Sequence, residues 1–159
     1  MKNVPLYAIL LMFGCLYSQE TIYKKECQSA YCKYFLYSIE AFQQDRRIGF
    51  VSYVKNPVRT LRITCLSVEE GCSDKDLKFK LFIKALNDSR VSGIDYIQFR
   101  IEEKDSMDCL IHFGKDFGAR QYNDNSSEII FDSAPFMRLQ GERKVLTLKQ
   151  SAFIAALLR

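Results

Sequence analysis

From Tyr96 to Ile101 the chain alternates without a break, with Ile97, Phe99 and Ile101 on one parity and Tyr96, Gln98 and Arg100 on the other. Side chains of a strand point alternately to opposite faces, so this run buries one face only as a β-strand. A sheet is therefore required, and the rest of the chain must supply its neighbours. Glu102 to Ser106 reads as a charged hairpin loop. Behind it Met107, Cys109, Ile111 and Phe113 would take one face of a return strand, leaving Asp108, Leu110 and His112 on the other.

Further strands are expected over Ile48–Val54 and Val58–Leu66, separated by Lys55-Asn56-Pro57, because proline cannot donate to a ladder. In the second of these, Leu61, Ile63 and Cys65 alternate with Thr60, Arg62 and Thr64. Glu128–Asp132 and Lys144–Leu148 read as short strands, with a polar loop from Gly114 to Asn125. Three helices are predicted. Glu20–Gln44 has no internal glycine or proline, and Cys27, Tyr31, Tyr34, Phe35, Ser38, Ile39 and Phe42 recur at helical spacing. Ser73 or Asp74 can cap a second helix through Asn87, with Leu81–Leu86 its helical centre. Thr147 and Gln150 form a capping-box signature for a last helix, Lys149–Arg159, with Phe153, Ile154, Leu157 and Leu158 as its apolar side. The expected architecture is α+β: an N-terminal helix, a mainly antiparallel sheet of five to six strands and a C-terminal helix.

The first nineteen residues carry one charge, Lys2, then an apolar run from Val4 to Leu16 and small residues at Gly14, Cys15 and Ser18. That is the pattern of a secretory signal peptide over 1–18, and the run is shorter than the roughly 20 residues a spanning helix needs. Leu11-Met12-Phe13-Gly14-Cys15 also loosely fits a lipobox, in which Cys15 is acylated. Residues 19–159 then form a single globular domain, a length that supports one core.

An exported chain is expected to oxidise its cysteines. Cys65 and Cys72 bracket a short turn and are the best disulfide pair; Cys27, Cys32 and Cys109 have partners the sequence does not name. There is no C-x-x-C, so neither metal nor cofactor is expected. Asn87-Asp88-Ser89 and Asn125-Ser126-Ser127 are glycosylation sequons placed in surface loops.

Catalytic options are few. The chain has one histidine, His112, and any Ser-His or Cys-His mechanism must use it; on a strand, Cys109 would face away from it. Glu102, Glu103, Asp105 and Asp108 gather at one loop and read as a solvated tip. Asn123, Asn125, Ser127 and Glu128 lack the glycine and acid series of a calcium loop. No phosphate-loop, dinucleotide, H-E-x-x-H or G-x-S-x-G motif occurs. The formal charge of +4 is spread over isolated basic pairs rather than a stripe, which argues against nucleic acid.

The sequence thus reads as an exported, disulfide-stabilised, non-enzymatic binding or interaction module whose partner is another protein or a small ligand. Its expected surface comprises Tyr23, Tyr34, Tyr37, Lys115, Arg120 and Tyr122, since tyrosine couples apolar area to a hydroxyl. Alternatives are an envelope lipoprotein that assists assembly, touching the membrane only through its lipid anchor, and a small secreted hydrolase using His112.

Overall fold

The computed structural model describes residues 20–28, 36–56, 58–72, 74–90, 93–101, 105–124, 126–137 and 147–158. The chain is α+β, built on a seven-stranded, mostly antiparallel sheet in the order β1-β2-β3-β4-β5-β7-β6. The strands are β1 (Ile22–Gln28), β2 (Leu36–Gln43), β3 (Arg46–Asn56), β4 (Thr60–Val68), β5 (Tyr96–Arg100), β6 (Arg120–Gln121) and β7 (Glu128–Asp132). The helices are α1 (Leu77–Arg90), α2 (Asp105–Phe113), a single turn α3 (Ala134–Met137) and α4 (Leu148–Leu157). A 3₁₀ turn, Lys115–Phe117, follows α2.

The expected N-terminal helix is corrected: Glu20–Gln44 contributes β1 and β2, an antiparallel pair with Tyr23 opposite Ala41 and Cys27 opposite Tyr37. The stripe at helical spacing runs across two strands, with Cys27 on β1 and Ile39 on β2, while Tyr31 and Phe35 lie outside the described residues. Tyr37, Ile39 and Ala41 fix the period at two. The β2–β3 hairpin closes on Gln44 and Asp45, both at positive φ (49° and 61°). This two-residue geometry matches the right-handed twist of paired strands.

β3 and β4 run two residues past the expected ends and pair antiparallel from Asn56–Thr60 to Gly49–Val68. Glu128–Asp132 forms β7 as expected, and β5 stops one residue short of Ile101. A second correction concerns Met107–Phe113, which is helical. Met107, Leu110 and Gly114 are buried, Ile111 is half-buried, and Asp108, Cys109 and His112 are exposed. Burial at i, i+3, i+4 and i+7 is a helix period, and the buried Leu110 breaks the alternation. The expected strand at Lys144–Leu148 lies mostly outside the described residues; Leu148 itself opens α4.

α1 lies across β2, β3 and β4 and buries Leu77, Leu81, Phe82, Ala85 and Leu86. Gly49 makes room for it, since a Cβ there would sit 2.9 Å from the Ser67 carbonyl oxygen and 3.3 Å from Leu77 and Leu81. The other end of the core is a group of rings. Phe153 of α4 lies 5.2 Å from Phe131, 5.4 Å from Phe117 and 6.3 Å from Phe136, centroid to centroid. Thr147 caps α4 as the sequence requires: its hydroxyl accepts from the Gln150 N–H, and the Gln150 amide oxygen accepts from the Thr147 N–H.

Candidate functional site

β4 and β5 are the one parallel pair in the sheet, and their ladder is short. It joins Thr60–Ile63 to Tyr96–Phe99 and then stops. β4 continues to Val68, held by β3 alone, while β5 turns toward β7 and the Ile101 N–H donates to the Ser127 carbonyl at 2.7 Å. The strands therefore part, and a notch of about 740 Å³ opens between them. Thr64, Cys65 and Leu66 form one wall, on the β4 edge that carries no neighbouring strand among the described residues; Phe99, Arg100 and Ile101 form the other. Lys78 from the first turn of α1, Ser106 and Leu110 from α2, and Ala156–Leu158 from α4 close it. Clefts at the carboxyl ends of parallel strands are where sheets of this kind place ligands.

The notch is lined by apolar and polar groups alike, and among the described residues its charged lining groups, Lys78 and Arg100, are both cations with no carboxylate beside them. Lys78 donates to the Leu158 carbonyl at 3.2 Å, a neutral acceptor at the end of α4. Arg100 stands opposite Glu128 in the β5–β7 register. The Glu128 carboxylate, however, is taken by Arg62 and by the Gln98 amide at 2.7 Å. Arg100 makes no hydrogen bond or ion pair among the described residues. Sequence reasoning assigned Arg100 only to the outer face of its strand and did not single out Lys78. The one legible signal was a strand ending in an arginine.

The start of α1, beside Lys78, is already satisfied. Asp74 accepts from the Asp76 N–H through Oδ1 (3.1 Å) and from the Lys80 ammonium through Oδ2 (2.6 Å), and its carbonyl takes the Leu77 N–H at 3.1 Å. Asp74 thus fills the position an anion would occupy at a helix N-terminus.

A second polar cluster lies under the far end of α1. Tyr53 is wholly buried, and its hydroxyl donates to Asp88 at 2.6 Å. Lys25 reaches the same carboxylate at 2.6 Å and Lys55 at 3.1 Å, and Lys55 also donates to the Asp88 carbonyl. The Tyr37 ring stacks on Tyr53 at 5.6 Å, with both ammonium groups over its face. Burial pushes the Asp88 carboxyl up, but donation from Lys25, Tyr53 and Lys55 outweighs it and holds the group below the usual carboxylate range. Burial, and then donation to Asp88, raises the Tyr53 hydroxyl far above an ordinary phenol.

The sequence-predicted residues do not converge. Tyr23 and Tyr37 lie on strands against α1, with Lys84 3.9 Å above the Tyr23 ring. Lys115 is exposed, Tyr122 is exposed, and Arg120 donates to the Gly118 carbonyl and stacks over Tyr96. Tyr34, Cys32 and Cys15 lie outside the described residues. His112 and Cys109 are exposed on α2 and share no hydrogen bond. Ser133 is buried with its hydroxyl donated to the Ile94 carbonyl, which leaves it no hydrogen bond to His112. The sequon Asn87-Asp88-Ser89 sits in α1 rather than a loop, with Ser89 buried and bonded to the Ala85 carbonyl. Among the described residues there is no group of three or more acidic, cysteine or histidine side chains suited to a metal, and no helix long and apolar enough to cross a membrane.

No family model and no curated protein matches the chain. Solved structures do share part of its shape. A putative acetyltransferase of the GNAT family from Desulfovibrio desulfuricans is 16% identical, with 61% of this chain and 67% of that one aligned at a TM-score of 0.46. The PaiA N-acetyltransferase of Thermoplasma acidophilum, in complex with coenzyme A, is 14% identical over 61% of this chain and 60% of that one, TM-score 0.47. An IAA acetyltransferase from Bacillus cereus is 14% identical over 71% and 99%, TM-score 0.47. Likeness at this level assigns no activity.

The reading as an exported, disulfide-stabilised, non-enzymatic module is corrected. Cys27, Cys65, Cys72 and Cys109 are free thiols. Cys65 is exposed on β4 in the notch, whereas Cys72 packs against the core with its sulfur toward the Asp74 carbonyl, 4.0 Å away. Signal peptide, acylated Cys15 and a periplasmic or extracellular address rest on residues outside those described, and no described residue supports them. The hydrolase alternative fails on His112 and Ser133 as placed.

Proposed function

We propose that the notch between β4 and β5 is the working site of the protein and takes a small, elongated ligand with an apolar body and one anionic group. One observation carries the reading: a cleft of about 740 Å³, within the usual range of ligand sites, holds two cations and no carboxylate among its described lining residues. The apolar body would lie against Leu66, Phe99, Ile101 and Leu157. The anionic group would meet Arg100, whose planar fork suits a carboxylate, with Lys78 as a point charge.

A second reading is favoured by the edge of β4 past Ile63, which pairs with no described strand. An extended arm bearing amide groups can pair with an unoccupied strand edge, as in β-augmentation, so transfer of an acyl group carried on such an arm is chemistry the notch can house. Coenzyme A, bound in the Thermoplasma structure, has such an arm, but it also carries a pyrophosphate. The residues here do not fit that part of it. Asp74 occupies the helix start beside the notch, and Glu69, Glu70 and Asp76 surround it in sequence.

Titration with octanoate followed by backbone NMR tests the primary reading. Shifts are expected at Thr64–Leu66 and Phe99–Ile101. Arg100→Gln should weaken binding roughly tenfold or more, the equivalent of one charge-assisted contact. Shifts clustered elsewhere, or affinity indifferent to both Arg100→Gln and Lys78→Gln, would sink it.

A further inference from the structure

The N-terminus of α1 reaches the notch through Lys78 and opens on acids. α1 starts behind Asp74 and Asp76; the Asp74 carboxylate takes the Asp76 N–H and the Lys80 ammonium, and its carbonyl takes the Leu77 N–H. The partial positive charge of that helix start is therefore answered within the chain. A pyrophosphate, which seeks free N–H groups at such an end, would have to displace Asp74 and approach Asp76 and Glu70, both exposed. A single carboxylate needs none of these donors. It can reach Arg100, which has no partner among the described residues, and Lys78, which among them is bonded to a carbonyl.

Resting on the notch as the ligand site, we infer that it discriminates by charge, accepting an apolar monocarboxylate and rejecting ligands that carry a nucleotide diphosphate. Asp74, Asp76 and Glu70 are the specificity-determining residues, and Arg100 and Lys78 are the ligand-binding ones. A donor that reached the β4 edge would then bear an amide arm without a nucleotide.

Isothermal titration of the full chain with octanoate and with octanoyl coenzyme A tests this. Octanoate is expected to bind, and the coenzyme A thioester to bind at least tenfold more weakly. Asp76→Asn with Glu70→Gln removes two charges without touching the Asp74 cap and should narrow that gap several-fold. Asp74→Asn should narrow it further, and the double variant keeps the test decisive if Asp74→Asn unfolds. A thioester binding as tightly as octanoate or more so, and weakened by Arg100→Gln, overturns the discrimination and leaves the notch standing. Failure of both ligands to bind, or binding indifferent to Arg100→Gln, overturns the notch and the discrimination with it.

Discussion

Asp88 is the residue whose loss should cost most per atom removed. Its carboxylate is the acceptor for the wholly buried Tyr53 hydroxyl and for Lys55, whose side chain is 19% exposed. Asp88→Ala strands the hydroxyl and leaves Lys55 only the backbone carbonyl at 3.1 Å. A hydrogen bond to a charged group contributes about 1.5–3 kcal/mol. The Lys25 arm, 44% exposed, adds well under about 1 kcal/mol. The expected destabilisation is about 3 kcal/mol, a large share of the roughly 5–15 kcal/mol typical of a domain. Asp88→Asn keeps an acceptor for Tyr53 and should cost about 1–2 kcal/mol. Urea unfolding measures each, and a double-mutant cycle with Tyr53→Phe should give a coupling of about 1–2 kcal/mol with unchanged m-values.

The pH dependence of the same carboxylate has a definite sign. Its folded pKa lies below the unfolded value of roughly 3.9. Its contribution is therefore complete above that value and is lost as pH falls through the folded pKa. Asp88→Asn should flatten the acid limb below about pH 4 relative to the parent. A cost under about 0.5 kcal/mol for Asp88→Ala, or zero coupling to Tyr53, would refute the account.

Other outcomes follow from separate parts of the molecule. Gly114→Ala would place a Cβ 2.5 Å from the Phe153 ring and 2.6 Å from Ala119, so overpacking should lower stability by about 1–3 kcal/mol in thermal melts. Thr147→Ala removes the hydroxyl of the α4 capping box and should cost about 1 kcal/mol in urea unfolding. Because Cys65 and Cys72 are free, adding reductant should leave the melting temperature unchanged, and both should take up iodoacetamide by intact mass once the chain is unfolded; a reductant-dependent melt would restore the bridge.

What could be read in the residues depended on whether one period was compatible with the pattern. Ile97, Phe99 and Ile101 admit only a strand, and Thr147 with Gln150 marks the start of α4, so both were legible. Cys27, Ser38, Ile39 and Phe42 fit one helical stripe in the sequence, and only the pairing of β2 with β1 and with β3 divides them between two strands. Met107–Phe113 misled because Cys109 and Phe113 are apolar yet exposed, while Leu110, on the supposed outer parity, is the buried one. The notch was not legible at all. It arises where two strands far apart in sequence stop pairing after Ile63 and Phe99, and nothing local in either segment records that distance.

The short β4–β5 ladder also sets an order of assembly. β1 to β4 form a meander whose β2–β3 and β3–β4 hairpins close through short turns, whereas β5 reaches β4 only after the chain has travelled through Glu69–Asp95 and laid down α1. Local hairpins close at little entropic expense, and a parallel partner that must return across a helix closes late. The meander is thus positioned to form first as a template, and the half containing β5, β6, β7 and the phenylalanine rings docks onto it through four residue pairs. The place where these two halves are least firmly joined is the place where the notch opens.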